Sequence, residues 1–178
     1  MRYVFLVLLG AGSVILSGSL MSGLNIAGIQ VDLVLMIILS LALLEKTSMP
    51  IIFAAAAGLL MDILFSTVLG VYAIGYTAVA LLVCAFFKNS SKFNILFLFI
   101  VGAGGYIIKE LITALIVFIL NIGSGTSFNL FSMMTRYILP AALLNGALMF
   151  VVYFIMSKIY SNNWMRPKRM NSFDELDL

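Results

Sequence analysis

The sequence has no histidine, a single cysteine and a charged fraction of only 10%. Without histidine, the Ser–His–Asp and Cys–His arrangements of nucleophilic catalysis cannot form. The same two scarcities exclude a zinc or haem centre built from histidine and cysteine. The lone Cys84 lies inside an apolar run, and the chain holds no second thiol for a disulfide. The shortage of charge is as telling. A soluble domain carries about 25% charged and about 45–50% apolar residues, whereas this chain is 63% hydrophobic with a mean hydropathy of +1.19.

A chain of 178 residues with that composition cannot hide its apolar surface in one core, because a small domain keeps too much surface exposed. Lipid must be the solvent for most of it. The net charge of +3 and the pI near 9.1 do not point to nucleic acid. The cations sit at the ends of hydrophobic segments, as membrane topology requires, and form no basic stripe.

Six apolar stretches are present, at about Val4–Met21, Ile26–Leu44, Pro50–Phe65, Leu69–Phe87, Phe93–Leu120 and Tyr137–Tyr160. A spanning helix needs about 20 residues, with a range of about 17–25. The fold class expected is an all-α integral membrane protein with about six transmembrane helices. A six-helix domain over 1–160 is followed by a tail over 161–178. Arg2 before an apolar run resembles a signal peptide, but the run is long and no clear Ala-x-Ala site follows. It reads as a retained first helix.

Arg2, Lys46, Lys88, Lys92, Lys158, Arg166, Lys168 and Arg169, eight of the ten basic residues, fall on one side of a six-span arrangement. Arg136 falls on the other side, and Lys109 lies within a span. The positive-inside rule then places both termini in the cytoplasm. The connections near 22–30, 66–68 and 121–135 face outward. The last is rich in Gly, Ser and Asn and carries Phe128 and Phe131, which fit either a partner contact or the lipid interface. In the tail, Trp164, Arg166, Lys168 and Arg169 read as an interfacial anchor before an acidic end.

Ser13 and Ser17, Gly18 and Ser22, and Ala54 and Gly58 each have the small-xxx-small spacing that lets helix backbones touch in lipid. The run Ala54–Gly58 predicts a central, tightly packed third helix. Gly102, Gly104 and Gly105 either kink the fifth helix or permit close packing.

The ionisable residues inside the apolar stretches carry the functional reading, since a charge in lipid costs several kcal/mol unless it faces a partner or a cavity. They are Asp32, Asp62, Lys109 and Glu110, with Arg136 at the start of the sixth stretch. At 1.5 Å per residue, Asp32 lies about 9 Å inside its face and Asp62 about 5 Å from the same face. Lys109 lies about 24 Å along the fifth helix, also in the outer half. One outer network or pocket is expected, with Lys109 and Arg136 offsetting the three acids. Non-additive effects of Asp62→Asn and Lys109→Met would follow. Asp32 could instead cap a helix at Leu33, but about 12 residues are too few to span. Asp62 and Arg136 at the headgroups would need no partner. Lys109 and Glu110 point about 100° apart, so at least one needs a partner elsewhere. The network has two possible uses, fixing the packing or contacting a ligand or partner. A proton relay is a further use, but neither the span number nor the inverted repeats of a pump are visible.

Val31-Asp32-Leu33-Val34-Leu35, Glu45-Lys46, Gly58-Leu59-Leu60-Met61-Asp62, and Leu69-Gly70 with Tyr76 resemble the MreD family of bacterial rod-shape-determining membrane proteins. The family typically has Pro-Asp-Leu at an early helix, then Gly-Leu-x-x-Asp, then Leu-Gly. Val31 stands where the proline usually is. The likeness covers nearly the whole chain in hydropathy profile and is carried by residues within about 31–76. It implies a non-enzymatic role in the inner membrane, with no cofactor. The partners implied are an MreC-like bitopic protein, the elongation synthases RodA and a class B penicillin-binding protein, and, indirectly, the MreB cytoskeleton. It also implies a fold similar to the substrate-binding component of energy-coupling-factor vitamin transporters, with Asp32 and Asp62 at the family's acidic positions. The alternative is such a transporter component, using the outer cluster to hold a small polar molecule. Those components dock through alanines four apart in the first helix, where this chain has Ser13 and Ser17. An intramembrane enzyme would have to work with Asp, Glu and Lys alone.

Overall fold

A computed structural model of the chain describes residues 2–23, 30–45, 47–66, 68–87, 94–120 and 134–161. They form six α-helices: α1 (Arg2–Gly23), α2 (Leu33–Leu44), α3 (Met49–Phe65), α4 (Val71–Phe87), α5 (Ile95–Leu120) and α6 (Leu139–Tyr160). A π-turn, Met134–Ile138, leads into α6. Pro140 in the first turn of α6 explains it: proline offers no N–H to the carbonyl four residues back, and its ring crowds that carbonyl. Phe128 and Phe131, and the tail with Trp164, lie outside the described residues.

The third to sixth stretches form helices within a few residues of the bounds expected. The second does not. A continuous helix from Ile26 is corrected by the structure: α2 begins at Leu33 and has 12 residues, about 18 Å of rise. Asp32 is its N-cap, and its carboxylate accepts from the Leu35 backbone N–H at 3.0 Å. The chain before it, Gln30–Asp32, is not helical. Backbone of that kind tolerates an apolar interior only when its polar groups are satisfied. Asn145 of α6, fully buried, does this from 113 residues away. Its Oδ1 accepts from the Asp32 N–H at 2.9 Å, and its Nδ2 donates to the Gln30 carbonyl at 3.0 Å. One side-chain amide thus acts as a substitute peptide group.

α2 is apolar on every side and is the central helix, packed against all five others. Val34, Leu35, Met36, Ile38 and Leu39 are fully buried in the main core. The expectation that α3 is central is therefore corrected. α3 buries one face only, through Ala54, Ala57, Gly58, Met61 and Asp62, and exposes Ile52, Leu59, Ile63 and Leu64. Similar rows of exposed apolar residues, such as Leu81 and Phe86 on α4 and Phe150 and Phe154 on α6, ring the molecule. So much exposed apolar area marks surfaces that face lipid or a protein partner. Among the described residues, α5 and α6 with its π-turn are long and apolar enough to cross a membrane, and four other apolar helical segments are shorter.

Gly102 and Gly105 of α5 serve packing, and the helix runs unbroken through all three glycines. A Cβ on Gly102 would lie 2.6 Å from Met149 Cβ and 3.2 Å from Gly146 Cα, so Gly102 and Gly146 make the α5–α6 crossing. A Cβ on Gly105 would meet Leu39 of α2 at 2.9 Å, whereas one on Gly104 meets nothing within 4 Å. Gly104→Ala is expected to stabilise the purified protein by about 0.5–1 kcal/mol through helix propensity. Gly102→Ala is expected to lose about 1–3 kcal/mol, overpacking outweighing that gain. Thermal denaturation of the two variants side by side checks this.

Candidate functional site

The polar residues of the interior gather at one end of the bundle. Asp32 is 7% exposed at the N-terminus of α2, where the helix dipole already favours a negative charge. Both of its carboxylate oxygens lie 2.9 Å from the Tyr76 hydroxyl, which donates from the core of α4. Its Oδ2 is 3.2 Å from the Lys109 ammonium of α5. Four helices therefore meet at one residue: α2 by its cap, α4 by Tyr76 and α5 by Lys109 at the Asp32 carboxylate, and α6 by Asn145 at the Asp32 backbone N–H.

Lys109 is 2% exposed. Its Nζ is 2.6 Å from Glu110 Oε1, so two acids share one cation. Three tyrosine rings complete the enclosure, with centroids 5.2 Å (Tyr72), 5.3 Å (Tyr106) and 5.9 Å (Tyr76) from Nζ. Their faces attract a cation, most strongly where it is desolvated. The expected divergence of Lys109 and Glu110 is corrected here. Their Cβ atoms do point apart, but both side chains are long enough to turn back and meet.

Asp62 and Arg136 stand apart from this cluster. Asp62 is fully buried near the end of α3, and its carboxylate caps α4. Oδ1 accepts from the Tyr72 N–H at 2.9 Å and Oδ2 from the Ala73 N–H at 3.0 Å. Gly70, at φ +98°, makes the turn that brings those amides round. The carboxylate thus satisfies two otherwise orphaned donors and sits at the positive end of the α4 dipole. Arg136 is exposed on the π-turn. Among the described residues, the ion pairs of Lys109 are with Asp32 and Glu110. Lys109 is therefore expected to couple with Asp32 far more than with Asp62, which revises the pairing expected from sequence.

Tyr76, Asn145, Tyr72 and Tyr106 belong to this centre and were not among its expected members. Asn145 is the sole side-chain amide in its apolar stretch, and that is the signal that could have found it. At the opposite end, the buried Glu45 accepts from Tyr160 at 2.5 Å and from Thr47 at 3.0 Å, tying the end of α2 to that of α6.

The arrangement can hold helix ends together. The cavity against Asp32 and Lys109 measures about 10 Å³, and Ser17, Gln30, Val31, Met61 and Tyr106 complete its walls. A small-molecule site usually needs about 300–1,000 Å³.

In comparisons with curated proteins and with solved structures, nothing matches this chain. A family model described as rod shape-determining protein MreD matches residues 2–162, most of the chain. The chain belongs to the MreD family of rod shape-determining membrane proteins.

Proposed function

We propose that this protein is a non-enzymatic scaffold and regulator of the complex that elongates the bacterial cell wall. Its family places it in rod shape determination. The scaffold reading rests on one further observation: the charged and amide side chains of the polar centre are engaged within the chain. Asp32, Lys109 and Asn145 are each directed at groups of the protein itself, around a cavity of about 10 Å³. What remains for recognition is the outside, where apolar helix faces meet lipid or a partner's transmembrane segment.

The partners proposed are an MreC-like bitopic protein and the elongation synthases RodA and a class B penicillin-binding protein, with MreB reached indirectly. The membrane is the bacterial inner membrane. All six helices cross it, with both termini cytoplasmic and the Asp32 centre towards the outside. Lys158, in the last turn of α6, supports this orientation, since it lies at the end away from Asn145. The short α2 is sheltered by its neighbours, and Asn145 completes its non-helical approach. The likeness to energy-coupling-factor substrate-binding components is kept at the level of helix number. A vitamin has no room beside Lys109.

The test is gentle-detergent capture of the tagged protein from its native membrane, with partners identified by mass spectrometry. Recovery of an MreC-like protein or the elongation synthases is the expected result. Recovery of paired ATPases with a coupling membrane subunit would make it a transporter component instead.

A further inference from the structure

Ser17 of α1 is 1% exposed, and its hydroxyl is buried without a hydrogen-bond partner. A buried hydroxyl left unbonded costs about 1–3 kcal/mol, so such groups are satisfied almost without exception. Ser13, one turn earlier, obeys the rule by donating to the Gly10 carbonyl at 2.8 Å. Ser17 instead lines the small cavity whose other walls include Asp32, Lys109 and Gln30. That cavity, about 10 Å³, is at the size that admits one water. A carboxylate or phosphate is too large for it, and the Lys109 ammonium disfavours a metal cation.

We propose that this cavity is a binding site for one ordered water, which joins the Ser17 hydroxyl of α1 to the Asp32–Lys109 pair. The site has the two to four polar partners that a buried water requires. Lys109 has three ammonium donors, and Asp32 and Glu110 take two of them. The remaining donor and the Ser17 hydroxyl are then both satisfied by the same molecule. α1 packs chiefly against α2 and α3, with Leu6 and Val14 in the apolar core. The water gives it a polar tie to the charged centre.

Hydroxyl-radical footprinting by brief X-ray exposure of the full-length protein in nanodiscs tests this. Radicals form from the bound water itself and oxidise oxidisable side chains beside it. Met61, at 1% exposure, lines the cavity, whereas Met36 and Met149, at 0%, do not. The expected result is labelling of Met61 several-fold above Met36 and Met149. Ser17→Leu, which fills the cavity, is expected to remove that excess. Should Ser17→Leu fail to fold, a wild-type structure at a resolution that shows waters decides the matter. Density within hydrogen-bonding distance of both Ser17 Oγ and Lys109 Nζ supports the proposal. Equal labelling of the three methionines, or a Ser17 hydroxyl turned onto the Ser13 carbonyl beside an empty cavity, overturns it.

Discussion

Asp32→Ala is expected to destabilise the detergent-extracted protein by about 3–5 kcal/mol, the usual cost of stripping one partner from a buried ion pair. Three bonds vanish together. Lys109 keeps only Glu110, the Tyr76 hydroxyl loses its acceptor in the core, and the Leu35 N–H loses its cap. The cap alone is worth about 1 kcal/mol. Asp32→Asn should cost less, since an amide oxygen still accepts from Leu35 and Tyr76. Lys109→Met removes the cation that both acids share. The combined Asp32→Asn, Lys109→Met variant is expected to be more stable than the two separate losses predict, by about 1–3 kcal/mol of coupling. Losing both charges leaves no buried ion unpaired at Asp32, and Glu110, with a side chain 12% exposed, can turn outward. Unfolding curves for the four proteins in one detergent measure the coupling. Strict additivity would show that the 3.2 Å contact does not hold these helices together.

Gly58→Leu is expected to prevent assembly of the α3–α4 pair. A Cβ at Gly58 would stand 2.5 Å from Ala73 Cα and 2.8 Å from Ala73 N, so it meets backbone rather than a side chain that can move aside. Even Gly58→Ala should cost about 1–3 kcal/mol net, because overpacking exceeds the roughly 1 kcal/mol of helix propensity gained. The damage reaches further than the contact. Gly58 and Asp62 are one turn apart on the same face of α3, so the close approach at Gly58 is what lets Asp62 reach the Tyr72 and Ala73 amides. Separating the helices leaves a buried carboxylate unbonded. Size-exclusion profiles and in-membrane protein level after expression should show loss of the folded species for Gly58→Leu and partial loss for Gly58→Ala.

Hydropathy alone placed α3 to α6 nearly where they lie, because length and apolar composition decide what a bilayer accepts. It failed at α2 for a physical reason. The residues from Ile26 to Val31 are apolar enough to extend a helix, and a helix capped by Asp32 has only about 12 residues, too few to span. The feature that permits a cap there is Asn145, a hydrogen-bonding partner 113 residues away that no local pattern reveals. The centrality of α2 was legible in principle, since Leu33–Leu44 is apolar on every side. The alanines of α3 drew attention to a close crossing, which exists, but a close crossing does not make a helix central. Of the five expected members of the polar centre, Asp32, Lys109 and Glu110 meet. Asp62 serves a second helix end, and Arg136 lies on the exposed turn. Depth along a helix could be read from the sequence, but the direction a side chain takes around it could not.

The measurement that tests the account most directly is cell shape in cells that carry the Asp32→Asn, Lys109→Met variant as their sole copy. Its membrane level is to be matched to that of the unmodified protein. If the polar centre only holds helices together, cells with matched levels keep their rod shape and wall growth along the flanks. Folded protein at a matched level with rounded cells would contradict the account, and would make Asp32 and Lys109 a contact site for a ligand or partner.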